Sequence, residues 1–442
     1  MKKLLYSLLI ILVLAVIAGK TLLDRAPIVT GFSALMVSSW TELTHRTQQD
    51  VEENELQYFP LNLAKIVVNK KTHEVVSTLF GQAPQKAVYR QGLGSTLIAD
   101  YDEAYVRKQK LIQKILPENP DTIPWPYGDK LSGMTPENIN LKKLHQAIDN
   151  AFKTGNTRAV VVCYDTLFLM EKYKTGFDRN TRLLGWSMSK SIINALVGIM
   201  VKQGKFDIHA PAPVEEWKSD NRSKITLNNL LQMSSGLEWE EDYTKISDAT
   251  IMLYEKGNMG KFALDKPADI PPDTEWYYSS GTSNIISLII RRQFSNNEDY
   301  WKFPRKELFN KLGMRSAVFE TDASGTFVGS SYAFATARDW ARFGILYLRK
   351  GEFNGRQILP EGWTEYTATP ARKSEGKYGA HFWLQPKELP DGPPDTYFAD
   401  GYHGQRVYII PSRDVVIVRF GLNKKEEFDN NIFVKEILDA IQ

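Results

Sequence analysis

Ser187 and Lys190, three residues apart in Gly185-Trp186-Ser187-Met188-Ser189-Lys190-Ser191, are the pair in this sequence best placed to do chemistry. The run Ser187 to Gln203 is apolar on nearly every side (Ile192, Ile193, Leu196, Val197, Ile199, Met200), which marks a buried central helix, and Gly204 suits its C-terminal cap. Residues three apart on a helix are neighbours, so the serine hydroxyl and the lysine amine can meet. A serine hydroxyl is a weak nucleophile until a base takes its proton. A lysine among apolar groups has its charged form disfavoured and can serve as that base. The helix start adds free N–H groups and a positive dipole end beside a reacting carbonyl. Alone, a Ser-x-x-Lys pattern recurs by chance, as an N-cap serine and a surface lysine; its place at the head of a buried helix sets this one apart.

Two further segments carry suitable groups. Tyr278, in Tyr278-Ser279-Ser280-Gly281-Thr282-Ser283-Asn284, stands at a loop-to-helix junction, where a tyrosine near a lysine can shuttle the serine proton; the bland reading is a half-buried aromatic. Gly401-Tyr402-His403-Gly404-Gln405 directly precedes the last strong hairpin. Its glycines let a strand edge approach substrate, and the Gln405 N–H can join that of Ser187 as an oxyanion hole. His403 shapes the pocket or simply packs at a strand start. A Ser-His-Asp triad through His403 would leave Lys190 without purpose. Gly185-x-Ser187-x-Ser189 lacks the last glycine of a GxSxG elbow. Ser219-Asp220-Asn221, set among Glu216, Lys218, Arg222 and Lys224, reads as a solvated turn. Trp186, Trp239, Trp276 and Tyr402 lie near the motifs and line an apolar pocket or are ordinary core aromatics.

The elements that must hold these groups are legible as patterns. A helix from Leu141 to Phe152 precedes a hairpin of strands Arg158 to Tyr164 and Leu167 to Tyr173, turning at Asp165-Thr166. Residues 225–300 read as mostly helical, and Asp339 to Arg349 as an amphipathic helix. Arg406 to Ile410 and Val415 to Phe420 form a second hairpin, and Ile432 to Ile441 a closing helix. Strands at both ends and helices between predict an α/β (α+β) fold: an antiparallel sheet flanked by helices, with an inserted, mainly helical lobe. Before it, residues 26–135 read as an N-terminal extension with short strands at Ala64 to Val68 and His73 to Leu79 and a Pro/Gly-rich linker from Pro117 to Ser132.

Together, in this order, the three motifs resemble those of the β-lactamase-like (penicillin-binding) serine hydrolases. That group takes in class C β-lactamases, D-alanyl-D-alanine carboxypeptidases, related esterases and 6-aminohexanoate-dimer hydrolases, the last being nearest. The likeness runs over about residues 138–442 and includes Leu231-Gln232-Met233-Ser234-Ser235-Gly236-Leu237 and Ala337-Arg338-Asp339-Trp340-Ala341-Arg342-Phe343-Gly344. It implies a β-lactamase-like fold over residues 136–442 and an acyl-enzyme mechanism on ester or amide bonds. Ser187 would be the nucleophile, Lys190 and Tyr278 its proton-transfer partners, and Tyr402, His403, Gly404 and Gln405 the substrate and oxyanion edge. Two departures stand out: Ser280 replaces the asparagine of the Tyr-x-Asn motif, and Tyr402-His403-Gly404 replaces Lys-Thr-Gly. Both count against a β-lactamase; neither touches acylation. An acylatable penicillin-binding or sensor protein, or a D,D-carboxypeptidase acting on the cell envelope, is the alternative.

Composition narrows the partners. Lys+Arg number 55 and Asp+Glu 52, a net charge of +3, without a basic run, so a small-molecule ester, amide or peptide is expected and nucleic acid is not. Six dispersed histidines and one cysteine, Cys163 within an apolar run, give no metal site and no cofactor is implied. Lys2 and Lys3, followed by an apolar stretch from Leu4 to Gly19 and then Lys20, make residues 1–25 a signal peptide or an N-terminal membrane anchor. The domain is therefore expected outside the cytoplasm, periplasmic if the stretch is cleaved and held to the inner membrane through residues 4–19 if it is not.

Overall fold

The computed structural model describes residues 19–112, 119–384, 387–423 and 427–442, with Lys3, Tyr6, Ser7, Ile10 and Leu116. Most of the Leu4 to Gly19 stretch thus lies outside the described residues, as do Pro117 and Glu118 of the expected linker. Among the described residues no helix is long and apolar enough to cross a membrane.

The chain divides into two compact units. The smaller comprises residues 1–110, 240–258 and 322–324. Its centre is helix α1 (Ala26–Thr44), buried along most of its length, beside an antiparallel sheet in sequential order, β1 (Ala64–Asn69), β2 (Glu74–Leu79), β3 (Gln82–Arg90) and β4 (Gly94–Leu97). The Thr30 hydroxyl ties helix to sheet by donating to the Ala83 carbonyl at 2.7 Å. Both strands read from sequence are present, and two more extend the sheet.

The larger unit holds the remaining residues. Asn140 caps helix α2 (Leu141–Lys153), its side chain accepting from Lys143 N at 3.0 Å. Strands β5 (Ala159–Tyr164) and β6 (Leu167–Tyr173) form the expected hairpin. Two short strands, β7 (Leu183–Leu184) and β9 (Ala333–Ala335), pair antiparallel, with β8 (Val318–Phe319) on the other side of β9. Between them run the central helix α3 (Ser189–Lys202) and helix α4 (Ser280–Arg291). Helix α5 (Ala337–Leu348) then leads to β10 (Trp383–Leu384), β11 (Tyr397–Gly401), β12 (Gln405–Ile410), β13 (Val415–Phe420) and helix α6 (Asn430–Leu438).

The principal sheet has six antiparallel strands in the order β10-β11-β12-β13-β5-β6. It joins the two hairpins edge to edge, so residues far apart in sequence share one sheet. Strand alternation sends Val160, Val162, Val415 and Ile417 to one face, where α2 (Leu144, Ile148) and α6 (Phe433, Ile437) cover them. Helix α5 lies on the other face. A Cβ at its Gly344 would stand 2.5 Å from a Val416 methyl, so only glycine permits this approach. Residues 120–130 belong to this unit, where Arg342 donates to the Pro126 and Gly128 carbonyls at 2.6 Å each and pairs with Asp129.

Candidate active site

The central helix begins two residues later than its apolar pattern suggests. Ser187 sits in a 3₁₀ turn, Trp186–Met188, and Ser189 opens the α-helix. Ser189 accounts for this: its hydroxyl donates to the Trp186 carbonyl at 2.7 Å and accepts from Ala333 N at 3.0 Å, fastening the turn to β9. Gly185 N donates to the Ala333 carbonyl at 2.8 Å and holds the other side. Trp186 has a φ of 48°, a region bulky residues avoid, so the turn carrying Ser187 is strained and held by its neighbours.

One helical turn on, Lys190 is 1% exposed. Its Nζ donates to Ser187 Oγ at 3.1 Å, to Ser280 Oγ at 3.1 Å and to the Ser330 carbonyl at 3.0 Å. It also lies 4.8 Å from the centre of the Tyr278 ring. Tyr278 precedes the cap of α4, Ser279, whose side chain accepts from Thr282 N at 3.2 Å. Its ring is wedged between Tyr378, edge-on at 5.9 Å, and Trp383 at 5.4 Å. The structure therefore brings together Ser187, Lys190 and Tyr278. Ser280, which counted as a missing amide in the sequence, supplies a hydroxyl to the lysine instead.

Two partners of the lysine were not foreseen. One is the Ser330 carbonyl, a backbone group with no side-chain signature. The other is His381, buried behind α3 with Nδ1 2.9 Å from the Lys190 carbonyl and Nε2 3.2 Å from Ser283 Oγ. Burial, reinforced by the nearby Lys190 charge, pulls its pKa down to about 3, so the ring is neutral. Since Nδ1 meets a carbonyl, it must carry the proton and donate. Nε2 is then bare and accepts from the Ser283 hydroxyl.

The third motif forms the turn between β11 and β12. A Cβ at Gly401 would come within 2.1 Å of the Gly185 carbonyl, so this turn is pressed against the backbone two residues before Ser187. His403 and Gly404 have φ of 64° and 81°. The His403 ring stacks on Tyr402 at 3.8 Å, and burial, with Arg158 nearby, lowers its pKa to about 4. Tyr402, 55% exposed, meets Trp186 edge-to-face at 5.7 Å. The Gln405 side chain is occupied locally, its Nε2 donating to the Tyr402 and Gly421 carbonyls at 2.8 Å each. Arg406 is buried and paired with Asp400 and with Glu388.

The remaining sequence candidates resolve as structure. Asp220 caps a short turn by accepting from Arg222 N at 2.9 Å. Trp276 packs on Tyr378 and Trp383, and Trp239 on Phe262. Among the described residues, no three His, Cys, Asp or Glu side chains gather as a metal site would need.

The family model for β-lactamase matches residues 155–432. The chain belongs to the β-lactamase family. Its place there makes it a serine hydrolase with a β-lactamase-like fold. A relative within reach of sequence comparison is the 6-aminohexanoate-dimer hydrolase of Paenarthrobacter ureafaciens. It is 25% identical over 295 residues, 60% of this chain and 72% of that one. Among solved structures, a candidate 6-aminohexanoate-dimer hydrolase from Bacillus anthracis superposes with a TM-score of 0.60 at 22% identity, covering 75% of this chain and 90% of the other. A D-stereospecific amidohydrolase from Streptomyces sp. gives 0.51 at 14% identity, covering 69% and 98%. Both structural likenesses establish the β-lactamase fold.

Proposed function

We propose that this β-lactamase-family hydrolase opens short, linear ester or amide bonds through an acyl-enzyme on Ser187. The observation that carries the reading is Lys190 Nζ at 3.1 Å from Ser187 Oγ, held by Ser280 and the Ser330 carbonyl. As Oγ attacks the substrate carbonyl, its proton passes to the Lys190–Tyr278 pair, and the N–H groups of Ser187 and Gln405 receive the developing oxyanion. Collapse expels the alcohol or amine, which takes that proton. Water then adds to the acyl-serine, giving up its proton to the same pair, and collapse releases the acid with the proton returned to Oγ.

Substrate choice follows from what borders the serine. Tyr402 stands where β-lactam specialists resemble one another in carrying lysine, and Arg406 is committed to Asp400 and Glu388. Trp186, Tyr278 and Tyr402 offer ring surfaces instead. The relative named for the 6-aminohexanoate dimer supports a linear amide among the substrates. The charged and apolar opening residues support a site of action outside the cytoplasm, periplasmic or at the inner membrane.

The test compares kcat/KM for p-nitrophenyl butyrate, the linear aminohexanoate dimer and nitrocefin, in the wild type and in Ser187→Ala. Both linear substrates should exceed nitrocefin, and the variant should be inactive on all three. A nitrocefin value above both overturns the substrate reading. Turnover by Ser187→Ala overturns the nucleophile.

A further inference from the structure

One strongly buried cation has no part in the chemistry described so far. Arg419, on β13, is 0% exposed. Its Nη2 donates to Thr157 Oγ1 at 2.9 Å, to Asn423 Oδ1 at 3.0 Å and to the Gly155 carbonyl at 3.1 Å. Its Nη1 donates to the Gly404 carbonyl at 2.9 Å, and the Phe428 ring lies 3.5 Å from the guanidinium carbon. Among the described residues it makes no ion pair with a carboxylate, and burial pulls its pKa below the ordinary arginine value. A buried cation held only by neutral groups is costly to keep. A purely structural tie between these strands could be made by an uncharged side chain.

The Gly404 contact shows what the charge can do. Among the described residues the cis peptide bonds are Phe59–Pro60 and Trp125–Pro126, so Gly404–Gln405 is trans. In a trans peptide the C=O and the following N–H point in opposite directions. The carbonyl of Gly404 faces Arg419, so the N–H of Gln405 faces away from it. Glycine suits position 404, where φ is 81° and a Cβ would stand 2.5 Å from Arg419 Nη1. The neighbouring carbonyl of His403 is held too, by Asn423 N at 3.3 Å. The turn so fixed is the one pressed against Gly185.

We propose that Arg419 is a positioning residue for hydrolysis. By holding the Gly404 carbonyl it aims the Gln405 N–H at the place beside Ser187 where the substrate oxyanion forms. Its positive charge at the carbonyl end of that peptide also makes the N–H a stronger donor. The inference rests on Ser187 being the nucleophile and goes beyond it, to a residue on a different strand with no substrate contact.

The experiment uses full-length protein carrying Arg419→Met or Arg419→Lys, checked for folding by thermal unfolding. Activity is read with p-nitrophenyl butyrate, and inhibition with butaneboronic acid, whose tetrahedral adduct on a serine uses the same donor. Losing the aim of one oxyanion donor should lower kcat in Arg419→Met roughly 10- to 100-fold with KM within about threefold. Boronate affinity should weaken by a similar factor, and Arg419→Lys should recover part of both. A folded Arg419→Met with kcat unchanged, or with kcat lowered but boronate affinity intact, overturns the proposal. Should Arg419→Met not fold, Arg419→Lys decides: its kcat and boronate affinity must fall together, and boronate affinity equal to wild type refutes the role. Failure of the underlying reading is seen separately, as turnover by Ser187→Ala.

Discussion

Acid should weaken this fold, and a measurable share of that loss should come from one buried ring, that of His381. The side chain is 2% exposed, and its pKa is pulled from 6.5 to about 3 by burial and by Lys190. An unfolded chain binds a proton on this histidine below pH 6.5, whereas the folded one does not until about pH 3. The unfolded state therefore holds more protons in that window, and stability is lost as pH falls through it. At pH 5 the unfolded chain has gained about 1.5 pH units of protonation free energy. At about 1.4 kcal/mol per unit this amounts to ~2 kcal/mol. The measurement is urea unfolding of wild type and His381→Gln at pH 7 and pH 5, at one ionic strength. Glutamine can still donate to the Lys190 carbonyl but cannot titrate, and every other group cancels in the comparison. The wild type should lose about 2 kcal/mol more than the variant between the two pH values. Equal losses would refute the claim that burial keeps this ring neutral.

Other outcomes follow from the same geometry. Lys190→Ala and Tyr278→Phe should each cut kcat by roughly two to four orders of magnitude, and the double variant should lose far less than the product, because both handle one proton. Gly401→Ala would put a methyl 2.1 Å from the Gly185 carbonyl. It should cost about 1–3 kcal/mol in unfolding experiments and reduce kcat/KM well beyond what that loss explains. Fusing residues 1–40 to a reporter active only outside the cytoplasm should give signal; a silent reporter would argue against export.

The sequence was most informative where chemistry and pattern coincide. The spacing of Ser187 and Lys190, the short apolar runs in 159–173 and 405–420 with turn residues between them, and the all-round apolar run after Ser189 each dictated a local structure, and the hairpins appear where two such runs flank a turn. What could not be read is what depends on closure of the fold. His381 and Lys190 are 191 residues apart in sequence, so no local pattern links them. The Ser330 carbonyl carries no residue signature. Ser280 looked like the loss of an amide because its Oγ finds Lys190 only after α3 and α4 pack. Ser189 looked like an ordinary helical residue, yet its bond to Ala333 N is what shifts the helix start past Ser187.

Cys163 offers a different kind of handle. The sole cysteine of the chain lies fully buried on β5 between β13 and β6, and burial pushes its thiol well above the ordinary range. Thiol reagents attack the thiolate, so the native protein should be silent to them. Any label taken up by the unmodified chain then times the opening of the six-stranded sheet itself. A cysteine introduced at an exposed position such as 402 would react at once, giving a fast clock at the mouth of the site and a slow one in its foundation within one molecule.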